Sequence, residues 1–168
     1  MPDNLTVEQR HRSMSRVKNK NTDIEQRLRS ALHRSGLRFK KHVKDLPGTP
    51  DLVFTRVKIA VFIDGDFWHG YAFNKWRGTL KPFWQDKIAK NRARDLRNFK
   101  HLRKMGWMVL RVWQHEIEGN LPAATERVRH AWKRRLEKST GTNKDDTPSR
   151  HEEGATANEP ENFAASSA

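Results

Sequence analysis

The run Gly48-Thr49-Pro50-Asp51-Leu52-Val53-Phe54, a short connection, then Ile59-Ala60-Val61-Phe62-Ile63-Asp64-Gly65-Asp66-Phe67-Trp68-His69-Gly70 decides how this chain folds. Residues 51–54 and 58–63 read as the two strands of a hairpin about Thr55-Arg56-Val57. The second strand is nearly continuous apolar, as a central strand covered on both faces should be. Gly65 breaks it, and Gly70 marks a loop. Each strand carries carboxylates at one end: Asp51 heads the first, while Asp64, Asp66 and then His69 close the second. Such a set suits a hard divalent cation.

Upstream, Thr22 followed by Glu25 fits a capping box opening a helix that runs to about Ser35, with Gly36 at its left-handed exit. Ile24, Leu28, Ala31 and Leu32 form its buried stripe, and Glu25 falls at the edge of that stripe, so it suits both a cap and a site. Leu37 to Val43 alternates enough for a strand. Downstream, Phe67 to Arg77 is an aromatic, glycine-punctuated loop; its rings suit either core capping or stacking on and wedging between bases.

A long helix then runs from Pro82 to Met105, closed by Gly106. Its inner stripe is Ile88, Phe99 and Leu102, and Asp95 interrupts that line where periodicity calls for an apolar side chain. A carboxylate there must be paired, hydrogen-bonded or near a metal. Asn91 faces the same way one turn earlier. Trp107 to Trp113 reads as a further buried strand and Leu121 to Leu136 as a last helix. The order of elements predicts an α/β fold, a mixed central sheet flanked by helices.

Charge points to the partner. The 168 residues hold 34 Lys and Arg against 20 Asp and Glu, a net +14. From Ser139 onward there are 2 basic and 6 acidic residues, so residues 1–138 hold 32 and 14, or +18. An excess of that size favours a polyanion, with nucleic acid first. Residues 1–20 form a basic arm and 21–138 a single domain. Residues 139–168, almost without hydrophobes, read as a disordered tail. There is no cysteine, hence no disulfide or thiolate metal site, and no apolar run approaches the roughly 20 residues of a membrane span. With no signal-peptide pattern at its start, the chain is expected in the cytoplasm.

Asp51, the Asp64 to His69 cluster, Asn91 and Asp95 can gather around one phosphodiester. Hydrolysis there needs charge on the phosphoryl oxygens neutralised, a water activated and the leaving oxygen stabilised, tasks that Mg²⁺ held by carboxylates shares with a nearby base. His69 is the natural base, since imidazole titrates near neutral pH, and a carboxylate such as Asp95 would orient it. Pro50-Asp51 followed by Asp64-Gly65-Asp66 is similar to the PD-(D/E)XK nuclease core, although the lysine of that pattern is missing, Asp66 being followed by Phe67.

From Arg12 to about Glu116 the chain resembles the very short patch repair (Vsr) endonuclease family. The matching pieces are Asn21-Thr22-Asp23-Ile24-Glu25, Leu46 to Asp51, Val61 to His69, Phe83-Trp84 with Lys87-Ile88, Lys90-Asn91 and Arg94-Asp95, and Gly106 to Trp113. The resemblance implies a PD-(D/E)XK restriction-endonuclease-like fold and a Mg²⁺-dependent enzyme that nicks 5′ of the thymine in a T:G mismatch left by deaminated 5-methylcytosine. It implies Asp51 and the Ile63 carbonyl as metal ligands, His69 as base, and Asp95 and Glu25 as supporting acids. Phe67, Trp68 and Trp84 would form an aromatic wedge, and the arm around Met14, with Arg16 and Lys18, would clamp the DNA. The partner would be mismatched duplex DNA, with other mismatch-repair proteins as helpers, acted on by a monomer that is nucleoid-associated if the source is bacterial.

Two positions depart from the family. Ile63-Asp64 stands where better-known members carry Thr-His, so Asp64 is a candidate either for binding metal or for proton transfer. The family's structural zinc positions hold Asp66, Tyr71, Phe73 and His115, so no zinc is expected, with Tyr71 and Phe73 packing the loop instead. Two other readings fit the same residues: a restriction-type nuclease of the same core and a non-catalytic mismatch-binding protein.

Overall fold

The computed structural model describes residues 22–141; the basic arm with Met14, Arg16 and Lys18, and the segment beyond Gly141, lie outside the described residues. Helix α1 (Asp23–Arg34) starts at Thr22 with the expected reciprocal cap: the Glu25 N–H donates to the Thr22 hydroxyl, and the Thr22 N–H and O–H donate to the Glu25 carboxylate. Such a cap is worth about 1 kcal/mol. The helix leaves through Ser35 and left-handed Gly36.

The strand expected over Leu37 to Val43 is only β1 (Lys40–Lys41). Leu37 is still bonded to the Leu32 carbonyl of α1, and His42 turns into the left-handed region at φ 46, so pairing is confined between helix exit and turn. The hairpin is β2 (Leu52–Phe54) and β3 (Ile59–Asp64), close to the expected bounds. After α2 (Phe73–Trp76) and a 3-10 turn, α3 (Pro82–Lys104) crosses over to β4 (Met108–Trp113). A short α4 (Gln114–Gly119), not foreseen, precedes α5 (Leu121–Gly141), which runs past Leu136. Extending a formed helix by a few solvated residues needs no hydrophobes.

The sheet order is β1-β2-β3-β4, antiparallel except for the parallel pair β3/β4. Strand alternation sorts the core to two faces. Leu52, Phe54, Ile59, Val61 and Ile63 pack with Leu28, Leu32, Ile117 and Val128 of α1, α4 and α5. Val53, Ala60 and Phe62 pack with Phe99 and Leu102 of α3. All of β3 is buried, as a central strand should be. Edge strand β4 differs from the buried strand expected: only Val112 is fully covered, because among the described residues no strand pairs beyond it. The fold is thus α/β, a mixed sheet flanked by helices. No described helix is long and apolar enough to cross a membrane.

Candidate functional site

The site lies where β3 and β4 end level, Asp64 beside Trp113. A cleft of about 900 Å³ opens there, and Glu25, Asp51, Ile63, Asp64, His69 and Asp95 all line it, together with Trp68 and Asn91. The acids and imidazole expected to converge therefore do so, although they come from α1, the start of β2, the end of β3, a loop and α3.

One half of the cleft centres on Asp51. Its Oδ2 accepts the Ile63 N–H at 2.7 Å. Burial, with the negative charges of Glu25 and Asp64 added, raises its pKa from 3.8 to about 7, against the Ile63 hydrogen bond and the Arg29 charge. Pairing of β1 with β2 brings His42 across from Asp51: the His42 N–H donates to the Asp51 carbonyl, and the imidazole Nδ1 lies 3.8 Å from Oδ1. Glu25, His42 and Asp51 each place a ligand atom within 4.8 Å of the others. The Arg29 guanidinium closes this group, ion-paired to Glu25 and 2.9 Å from His42 Nε2.

The other half centres on His69. Its Nδ1 is 2.7 Å from Asp95 Oδ2 and 3.2 Å from Asp64 Oδ1. Ionised carboxylates only accept, so the proton sits on Nδ1 and Nε2 keeps a lone pair. Burial would lower the His69 pKa, but the Asp95 hydrogen bond and the charges of Asp64 and Asp95 outweigh it and raise it. Burial likewise pushes at Asp95, where the hydrogen bond and charge of His69 and those of Arg94 win and hold the carboxyl low. Asp64 is raised by burial in spite of His69 and Arg111. Arg111 of β4 pairs with Asp64, reaches Asp95 at 3.4 Å, and lies over the rings of Phe99 and Trp113.

The aromatic loop forms one cluster. Phe67 contacts Trp68, Trp76 and Trp84, stacking on Trp76 at 18° between planes, and Trp84 continues to Phe83. Phe67 and Phe83 remain 39 % and 48 % exposed, an apolar prominence beside the cleft. Asn91 donates to the Trp68 carbonyl at 3.0 Å and so holds that ring's backbone. Asp66, Tyr71 and His115 meet: Asp66 hydrogen-bonds the His115 ring at 2.8 Å, and Tyr71 packs on it at 4.3 Å. Phe73 is buried against Trp76 and the Arg92 guanidinium.

Sequence reasoning passed over His42, Arg29 and Arg111. Arg111 carried a usable signal, since a charge inside Trp107-Met108-Val109-Leu110-Arg111-Val112-Trp113 breaks an apolar line just as Asp95 does. Arg29 stands four residues after Glu25 on one helix face. His42 carried none, because its place depends on the β1/β2 register.

A family model described as DNA mismatch endonuclease Vsr matches residues 2–75. A type II nicking enzyme of Xanthomonas oryzae pv. oryzae, V.XorIIP, is 42% identical over 132 residues, 77% of this chain and 96% of its own. V.NmeDIP, a type II nicking enzyme of Neisseria meningitidis serogroup C, is 39% identical over 77% of this chain and 89% of its own. The DNA mismatch endonuclease Vsr of Escherichia coli K12 is 39% identical over 66% of this chain and 72% of its own.

Proposed function

Because the chain belongs to the Vsr family of DNA mismatch endonucleases, we propose that it nicks one strand 5′ of the thymine in a T:G mismatch, with Mg²⁺ as cofactor. The observation that carries this reading is the cleft itself, where Asp51 beside Ile63 and the His69–Asp95 pair face one space next to an exposed aromatic cluster.

The donor set fits a divalent cation. Asp51 is a buried carboxylate pushed up to about 7, which a cation beside it would restore to its charged form. Asp51 and the Ile63 carbonyl would hold the ion, with Glu25 in support. Bound there, it supplies neutralising charge for the phosphoryl and leaving oxygens. Asp64 already has Arg111 for its charge, so its part is to hold His69 and not the ion.

His69 takes a proton from the attacking water at Nε2, the nitrogen that its Nδ1–H donation leaves basic. Asp95 fixes that tautomer and stabilises the imidazolium that forms, as the carboxylate of a hydrolytic triad does. Phe67, Trp68 and Trp84 enter the duplex beside the mismatch, where unstacking is least costly. Asn91 acts here by anchoring Trp68. The basic segment 1–20, with Met14, Arg16 and Lys18, engages the DNA outside the cleft.

Strand-labelled T:G, matched and hemimethylated duplexes, incubated with the protein and Mg²⁺, test this. One nick 5′ of the mismatched thymine, lost in Asp51→Ala and in chelator, is expected. Equal cutting of both strands on matched DNA would mean a restriction-type nuclease. Binding of the T:G duplex without cleavage in either Mg²⁺ or Mn²⁺ would mean a recognition protein.

A further inference from the structure

We propose that His42 is itself a metal ligand, so that one imidazole nitrogen and a Glu25 oxygen join Asp51 and the Ile63 carbonyl around the cation, and that the protein consequently binds Mn²⁺ more tightly than Mg²⁺. This rests on the metal-dependent reading of the cleft and deepens it by naming a ligand and an ion preference.

Three features of the cleft carry it. The first is placement: β1 pairs Lys41 with Leu52, so His42 falls next in register opposite Asp51, and its backbone N–H donates to the Asp51 carbonyl at 3.3 Å. The imidazole is thus tied to the acid most central to the site. The second is spacing. Ligands about 2.1 Å from an ion lie about 3 to 4 Å apart. Glu25, His42 and Asp51 already bring one ligand atom each within 4.8 Å of the others, so a cation taking the place of the Arg29 guanidinium needs only a small inward movement of the three.

The third is the state of the ring and what stands beside it. Arg29 Nη2 lies 2.9 Å from His42 Nε2, and a guanidinium has no acceptor, so it donates and Nε2 carries the lone pair a metal requires. The same Arg29 group is ion-paired with Glu25. A positive group therefore already occupies the space between the imidazole and a carboxylate, standing in for the charge that the ion would bring.

An oxygen-only site suits Mg²⁺, whereas adding an imidazole favours transition ions. Mn²⁺ should bind the DNA-free, full-length protein roughly tenfold or more tightly than Mg²⁺. Electron paramagnetic resonance on the Mn²⁺-loaded protein gives a readout independent of cleavage. Electron spin echo modulation from a directly bound nitrogen is expected in the native protein and in His69→Gln. In His42→Gln, checked for folding by circular dichroism, that modulation should vanish and the preference for Mn²⁺ over Mg²⁺ collapse. Nitrogen modulation that persists in His42→Gln overturns the proposal. So does a native protein that binds Mn²⁺ with no nitrogen coupling, or that binds none. T:G nicking in Mg²⁺ accompanied by a nitrogen-free Mn²⁺ signal would remove His42 from the ligand set and leave the proposed function standing.

Discussion

Replacing Asp51 by asparagine in the metal-free protein should stabilise the fold above neutral pH while abolishing nicking. The Asp51 carboxyl is carried from 3.8 to about 7, first by burial and then by the charges of Glu25 and Asp64. A carboxyl raised in this way contributes stability that is complete below pH 3.8 and is lost as pH rises through about 7, because the native state holds its proton longer than the unfolded chain. A shift of about 3 units at about 1.4 kcal/mol each sets an upper bound of about 4 kcal/mol. Asparagine keeps the shape, and its carbonyl still accepts the Ile63 N–H, so the variant loses the penalty without losing that bond. Denaturant unfolding in chelator at about pH 8 should therefore show Asp51→Asn more stable than the parent by about 1 to 4 kcal/mol. The gap should narrow by about half or more at about pH 5, where the native carboxyl is protonated in the parent. Added Mg²⁺ should raise the parent and leave the variant where it was. A variant less stable than the parent at the higher pH, or one with the parent's own pH dependence, would refute the reasoning.

Asp95→Asn should cut single-turnover nicking by about 10² to 10⁴, the range of a disabled general base. It should also move the acid limb of the rate profile to lower pH, since the Asp95 hydrogen bond and charge, together with the Asp64 charge, raise His69; an unmoved limb would remove His69 as the base. Arg111→Met leaves Asp64 buried without its guanidinium partner and should cost about 3 to 5 kcal/mol in denaturant unfolding. That loss should shrink as pH falls and Asp64 takes a proton. In Gly70→Ala the added methyl would meet the Arg92 and Ile88 side chains at 2.8 and 2.9 Å in a left-handed residue, a strain of about 1 to 3 kcal/mol. T:G selectivity, compared with matched DNA, should drop in that variant before its thermal midpoint falls far.

The hairpin was legible because two apolar runs flank a short connection, and α3 because it repeats its period over enough residues to be unmistakable. A carboxylate on the apolar line of α3 was legible for the same reason, and Asp95 proved to be the His69 partner. What periodicity could not reach depends on register or on brevity. His42 joins the site through a strand of two residues, whose pairing no local pattern declares. The α4 turn, Gln114–Gly119, is too short to show an amphipathic repeat, and is held by the Glu116 carboxylate accepting the Trp113 N–H. The acids that the family resemblance named line one cleft. The resemblance assigned no role to Arg111, whose guanidinium pairs with Asp64.

Residues 65–81 hang between two fixed points, the last residue of β3 and the first turn of α3, and are pinned on the way by Asn91 to Trp68, by Gly70 against α3 and by Asp66 to His115. Of the groups the proposed reaction uses, Glu25, Asp51 and Asp95 sit outside that span, whereas His69 lies within it. Under the proposed reading, substrate choice and metal binding thus belong to separable pieces of polypeptide, with His69 the one reacting group carried on the selecting segment. A chimaera bearing a relative's segment between Gly65 and Lys81 with His69 retained, melting at the parent's temperature but favouring the donor's substrate, would display that division; one that folds and keeps the parent's substrate would deny it.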